Sequence, residues 1–449
     1  MAAIYLSRDE ARALAERVLS FSRAEQARVN IQSGSEGNTR FAVNQVSTSG
    51  DITNATLTIT SAFGKRVASA TTNRFDDEAL RRTVETSERL SRLVPEDPEY
   101  LGELDPMTVP DQDAVVASTA DVSPEARAQA VTAVAGPAAE RDLVATGFLI
   151  HATGSQAVMN SKGHFAYRAS SNANFTTTVR TPDGTGSGWA GKGFFDWSEL
   201  GAGELAERAI EKAVGSREPR AVEPGRWVTI LEPTAVANMV GLMMNALSAR
   251  SADEGRSFFA KPGGGNRIGE RFVDERVTIW SDPEEPRLFA APFNDQGLPN
   301  RRMSWVEGGV LRNLVYDRFW AQRQEREPTG FVSGYYMEGG NATVEEMIRS
   351  TERGLLVTRF WYIRGVDPRT ILFTGLSRDG TFLIENGRIS HPVKNLRWNE
   401  SPIFMLNNVE LMGAPVRVSP SESSDLSSAV WVPPLKVRDF TFTSLSDAV

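Results

Sequence analysis

Cysteine is absent from all 449 residues, which excludes disulfides, thiolate nucleophiles and thiolate metal ligands and argues against a stapled secreted scaffold. Histidine is scarce. Only His151, His164 and His391 occur, none within three to five residues of another, and each reads as a strand or turn residue. No Gly-x-Ser-x-Gly elbow is present, so a hydrolase of that nucleophile class has no support, while a triad built from distant residues is invisible to sequence. Positive charge is in deficit, with 57 acidic against 49 basic residues and a formal charge of −8. That leaves no basic footprint for a nucleic-acid backbone, and no nucleic-acid partner is expected. Long apolar runs are missing too: the stretch from Met239 to Leu247 falls far short of the roughly 20 residues that cross a bilayer. Met1 to Leu6 turn charged at Arg8-Asp9-Glu10 with no basic start before an apolar core, so no membrane span and a cytoplasmic protein are expected.

What is present is enough for two or three domains, with 40% apolar residues to fill their cores. Ser7 and Glu10 form a capping box ahead of Leu14, Ala15, Val18 and Leu19 at helical spacing. Ala55, Leu57 and Ile59 alternate with threonines before a turn at Gly64-Lys65, which predicts a half-buried hairpin. Asp76-Asp77 lead a helix with Leu80, Val84 and Leu90 inward, closing an N-terminal α/β domain at 1–94. Pro95 to Asp113 carries four prolines and no Lys or Arg, which predicts a solvated acidic linker, 95–122. A strand-rich region, 123–222, begins with a helix from Ser123-Pro124 to about Gly136-Pro137. Short strands follow at Leu143–Ile150, Ala157–Asn160, Phe165–Ala169 and Asn174–Arg180, then a helix from Glu204 to Val214. From 223 to 449 a larger β-rich domain is expected, opening with a buried strand, Trp227–Leu231, and a helix from Pro233. The class is therefore α+β with much antiparallel sheet.

Two local patterns invite a cofactor and fail. Gly184 to Gly193 nearly spells a phosphate-binding loop, but Gly193 stands where Ser or Thr must meet magnesium, and Phe194, Phe195 and Trp197 follow in place of a helix start. Gly186, Gly188 and Gly191 likewise lack the strand-to-helix context of a dinucleotide fingerprint, so a flexible glycine-rich loop is expected. Val236, Met239, Val240, Met243 and Leu247 form one apolar stripe, which reads as core.

Several segments carry a family resemblance. Phe382-Leu383-Ile384-Glu385-Asn386-Gly387-Arg388-Ile389 with Pro392-Val393-Lys394 closely resembles the C-terminal signature of the TldD/PmbA (TldE) family, the modulators of DNA gyrase. Asp295 to Pro299, Glu307 to Leu311, Tyr316-Asp317 with Ala321, and Thr329-Gly330 resemble its central pattern in order and spacing. The likeness covers nearly the whole chain, although Arg364, Asp367 to Thr370 and Asn395 depart from the pattern. It implies a fold of the TldD/PmbA type. In catalytic members a helix bears His-Glu-x-x-x-His, two imidazoles binding zinc and the glutamate acting as general base. Anchored on Gly255-Arg256-Ser257, the three positions fall at Val240, Gly241 and Asn245, and the third ligand, a cysteine in the family, falls near Ser419. None can take up those roles, because valine offers no lone pair, glycine no carboxylate, asparagine a poor ligand and serine no thiolate.

The resemblance therefore implies a TldE-like subunit with no catalytic, cofactor or metal residues of its own. Zinc is expected on a TldD-like partner, in a heterodimer or heterotetramer enclosing a chamber for unfolded peptide. A self-sufficient amide hydrolase using Asp253 or Glu254 with another metal, and a homodimeric peptide-binding protein, are the alternatives.

Overall fold

Ser7 accepts a hydrogen bond from Glu10 N and the Glu10 carboxylate takes Ser7 N in return, so α1 (Arg8–Phe21) begins at the expected capping box. The chain is described at residues 5–330, 334–418 and 429–446 of a computed structural model, and Ser419 lies outside the described residues. Strands β1 (Gln26–Ala42), β2 (Gln45–Phe63) and β3 (Arg66–Thr72) form an antiparallel meander, with β2 and β3 turning at Gly64-Lys65. Asp76 caps α2 (Asp77–Leu93), which buries Leu80 and Val84 but leaves Leu90 38% exposed, against the inward placement expected for it.

The acidic stretch beyond it is not simply solvated. Glu103 is buried on Arg28 at 3.1 Å, Glu99 pairs with Arg250 at 2.8 Å, and β4 (Gln112–Ala114) joins the sheet. After α3 (Ala117–Ala120), helix α4 (Pro124–Glu140) starts at Ser123 as expected yet runs through Gly136-Pro137 to Glu140. Pro137 lies in the last turn, where a proline deprives the helix of one hydrogen bond without breaking a long run beyond it.

The four short strands expected next are two long ones, β5 (Val144–Asn160) and β6 (Phe165–Arg180). Gly154, Ser155 and Asn172, residues typical of turns, sit in mid-strand because they serve the sheet itself. Ser155 hydroxyl donates to Leu6 O and shares a 2.9 Å bond with Ser33, while Gly154 lets β1 and β5 approach. The expected glycine loop is likewise a strand, β7 (Ser187–Phe194), lying under α5 (Ala202–Gly215). A Cβ at Gly188 would stand 2.1 Å from Ala209 O and one at Gly186 2.2 Å from Ala213 O, so the glycines give helix and strand room to touch.

These strands make one sheet, ordered β3-β2-β1-β5-β6-β4 with β7 on β6, to which the expected regions 1–94 and 123–222 both contribute. Odd-numbered residues of the central strands, Val29, Ile31, Met159, Phe175 and Val179 among them, face the helices: α1 and α2 over one end, α4 and α5 over the other. The even-numbered face of β1, β5 and β6 is largely polar and turns to the C-terminal half.

That half contains two sheets. One holds β8 (Gly225–Leu231), β13 (Arg353–Asp367), β14 (Leu372–Glu385), β15 (Arg388–Pro392), β16 (Leu396–Glu400), β17 (Val409–Met412) and β20 (Leu435–Leu445). Because β13 pairs with both β8 and β14, the strands β8-β20-β16-β14-β13 close into a ring. Trp398, Phe360 and Phe440 fill it, with ring centroids 4.8 to 6.1 Å apart. The other sheet has β9 (Ile279–Ser281), β10 (Met303–Glu307), β11 (Val310–Leu311), β12 (Tyr335–Met337), β18 (Val416–Val418) and β19 (Val430–Val432). Helix α6 (Pro233–Asn245) is buried in the largest core between these sheets. The architecture is the α+β one expected, and no helix among the described residues is long and apolar enough to cross a membrane.

Candidate functional site

Pro233 at the first turn of α6 follows directly on β8, so the helix is launched from the ring into the core. Its stripe is core as expected: Val236, Met239, Val240 and Met243 are fully buried and Leu247 nearly so. The three residues that the resemblance sets against the zinc motif meet different surroundings. Val240 is sealed in the core, Gly241 is half-buried, and Asn245 is exposed at the last helical residue. A Cβ on Gly241 would meet the Tyr335 hydroxyl at 3.6 Å, an ordinary contact. Burial raises the Tyr335 phenol above its usual range, so it stays protonated.

The alternative carboxylates are engaged structurally. Asp253 accepts from Asn266 Nδ2 and from Trp320 Nε1, each at 2.7 Å, one on each oxygen. Glu254 is held by Arg250 and Arg256. Among the described residues no three His, Cys, Asp or Glu side chains come together as cation ligands.

The three histidines lie in separate places. His164 bonds Gly297 O at 2.8 Å, and His391 sits beside Ser390 on β15. His151 lies 3.0 Å from Arg127 Nη1, and Arg127 is fully buried and forks onto Asp51 at 2.7 and 2.8 Å. Burial, then the Arg127 charge, pushes His151 down to about 4, so its ring is neutral at pH 7 and accepts from the guanidinium.

The feature that sequence reading missed is a cleft of about 680 Å³ between the even face of the first sheet and residues 288–295. Its floor carries four members, Thr56, Gln32, Gln156 and Arg168, of a polar row that crosses five strands. Thr56, Gln32, Gln156, Arg168 and Gln112 stand opposite one another on β2, β1, β5, β6 and β4. Beside that row Gly34 faces Gly154, making a dip with no side chains. Gln156 Oε1 accepts from Arg168 Nε at 2.8 Å. Among the described residues Arg168 has no ion-pair partner, and burial alone pushes its guanidinium down. The alternation of Asn30, Gln32 and Gly34 with Val29, Ile31 and Ser33 was the available signal, but only the register of β5 and β6 brings Arg168 alongside. The cleft abuts the α6 region through Ala429, which lines it and accepts from Tyr335 N at 3.2 Å.

Comparison with known proteins matches this architecture throughout. The structure of TldE from Thermococcus kodakarensis superposes with a TM-score of 0.84 at 18% identity, covering 97% of this chain and all of that one, which establishes the shared fold. A metalloprotease from Methanothermobacter thermautotrophicus is 24% identical over 292 residues, 59% of this chain and 61% of the relative. A zinc metalloprotease TldD homolog from Saccharolobus solfataricus is 23% identical over 231 residues, 49% of each chain. The chain thus matches only part of the length of these two curated relatives, 61% of one and 49% of the other. Family models for the PmbA/TldA metallopeptidase match domain 1 at residues 27–91, the central domain at 108–217 and the C-terminal domain at 224–444. With these three matches in chain order across nearly its whole length, the chain belongs to the PmbA/TldD metallopeptidase family.

Proposed function

We propose that this chain is a zinc-free, TldE-like subunit that pairs with a TldD-like zinc peptidase in the cytoplasm and helps enclose the unfolded peptides which that partner degrades or matures. The observation that carries this reading is α6. Where the family pattern asks for imidazole, carboxylate and imidazole, it presents a core-buried Val240, Gly241 and an exposed Asn245, in a chain with no thiol. Valine and glycine supply neither a lone pair for zinc nor a base for water, so peptide-bond attack must be carried out on the other subunit. The polar cleft supports a substrate-holding role, because amide side chains offer an extended backbone both donors and acceptors without selecting its sequence. Zinc belongs to the partner in this reading, in keeping with the zinc metalloprotease name borne by the Saccharolobus relative.

Co-expression with a TldD-like protein, followed by purification, metal analysis and a peptide-cleavage assay, tests it. A stable mixed complex is expected, with zinc in proportion to the TldD-like chain. Stoichiometric zinc on this chain alone, or hydrolysis by the pure chain, overturns the reading, and self-association in place of a mixed complex shifts it to a homodimeric binder.

A further inference from the structure

A partly buried arginine without a counter-ion is an expensive thing to build into a cleft. Taking a guanidinium out of water costs free energy that an opposed carboxylate normally offsets. Arg168 spends only Nε, on Gln156, so Nη1 and Nη2 make no hydrogen bond among the described residues. Gln112, the next side chain along the row, is turned away from it. Its Nε2 donates to Pro283 O and Ala290 O, and its buried Oε1 has no partner. On the other side Gln32 and Asn54 are exposed on the cleft floor, and neither makes a side-chain hydrogen bond among the described residues. The cation, the free amides and the glycine dip thus share one face, in a volume within the ~300–1,000 Å³ range of ligand pockets.

We propose that this cleft binds an extended peptide through a carboxylate, taken bidentately by the two terminal nitrogens of Arg168, with the peptide backbone laid over the Gly34–Gly154 dip and met by Gln32 and Asn54. The fork of arginine matches carboxylate geometry, and Gln156 fixes the plane of that fork from behind. Gly34 and Gly154 allow the chain to lie against the sheet, since any side chain there would stand where the peptide runs. The inference rests on the peptide-holding role proposed above and adds to it a chemical preference: peptides with a free C-terminal carboxylate, or an acidic side chain, over neutral ones.

Calorimetric titration of the full chain with penta-alanine, its C-terminal amide, and the amide carrying one central glutamate tests this. The free acid is expected to bind at least about tenfold tighter than the neutral amide, as a charge-assisted bidentate pair requires. The glutamate peptide reports whether a side chain serves as well as the terminus. Arg168→Gln is expected to erase the difference and Arg168→Lys to keep part of it. Gln156→Leu, which leaves the charge but frees its plane, is expected to weaken the preference should Arg168→Gln fail to fold. Equal binding of all three peptides, no binding of any, or a preference that survives Arg168→Gln overturns the inference. Inorganic phosphate competing as well as the peptide acid overturns it in favour of a plain anion site. Pairing with the TldD-like subunit, measured on the same samples, separates the two proposals. Pairing without preference sinks only this one, and preference without pairing sinks only the subunit reading.

Discussion

Gly34 and Gly154 face each other across β1 and β5 so closely that a Cβ on Gly34 would lie 2.5 Å from Thr153 O, and one on Gly154 2.7 Å from Ser33 O. Neither obstacle is a flexible side chain; both are backbone in the middle of a sheet. Gly154→Ala is therefore expected to lose about 1–3 kcal/mol of stability, the usual range for overpacking a well-filled site. Urea unfolding checks it, and a loss below about 0.5 kcal/mol, the level of an ordinary surface change, would show that the strands can part at no cost.

The Asp51–Arg127–His151 group is nested over Gly37, where a Cβ would come within 2.2 Å of His151 Nε2 and 2.3 Å of Arg127 Nη1. Removing Asp51 leaves a fully buried guanidinium against a neutral imidazole. Asp51→Ala is expected to cost about 1–3 kcal/mol, less than a wholly buried pair because the Asp51 side chain is 54% exposed. The double variant Asp51→Ala with Arg127→Met should be the more stable of the two, since no charge is then stranded. Thermal or chemical unfolding of both decides it, and a double variant weaker than the single one refutes the argument.

Glu400 and His151 pull stability in opposite directions with pH. Burial raises Glu400 from 4.5 to about 7 despite the backbone N–H groups of Ser401 and Thr441. The folded state therefore binds more protons than the unfolded one between pH 4.5 and 7, and this contribution is lost as pH rises through that window. His151 has a folded value near 4 against 6.5 unfolded, so its contribution is lost as pH falls from 6.5 towards 4. Relative to the natural chain, Glu400→Gln should gain about 1–3 kcal/mol between pH 5 and 7.5, since each tenfold change in proton affinity between folded and unfolded chain is worth about 1.4 kcal/mol. Denaturant midpoints at the two pH values measure it; a constant difference between the proteins would mean that Glu400 titrates normally.

Glycine in α6 and glycine in β7 should respond with opposite signs. Gly241→Ala meets only the Tyr335 hydroxyl at 3.6 Å and gains helix propensity, an expected stabilisation of about 0.5–1 kcal/mol. Gly188→Ala drives a methyl into the backbone of α5 at Ala209 O and is expected to cost about 1–3 kcal/mol. Melting curves of the two variants check both signs. A destabilising Gly241→Ala would mean that the half-buried position has no room for a methyl.

Local chemistry was legible where one residue's neighbours in sequence are also its neighbours in space. Ser7 with Glu10, Asp76, Ser123 and Pro233 marked their helix starts, and the Val236–Leu247 stripe marked the core face. Glycine and serine misled in β5, β6 and β7, because a residue that suits a turn equally suits a strand pressed against another backbone. The acidic stretch misled for a related reason: the cations that fix Glu99 and Glu103, Arg250 and Arg28, lie far away in sequence. The residues that the resemblance sets against the family motif could be named one by one from the sequence, but the cleft could not. Its floor exists only once β1, β5 and β6 are in register, and no spacing in the chain announces that Gln32, Gln156 and Arg168 stand in a line.

The closed ring has a bearing on how the molecule is made. Leu231 of β8 finds its partner in Leu435 of β20, nearly half the chain further on, and β20 is wedged between β8 and β16. Until that strand emerges from the ribosome, two neighbours with unsatisfied backbone groups wait on either side of a gap, inviting any extended segment to fill it. Assembly of this half must then be late and slow, governed by one distant pairing. A nascent or clipped chain ending before Leu435 would be sticky in the very way that the finished ring, having no seam, avoids.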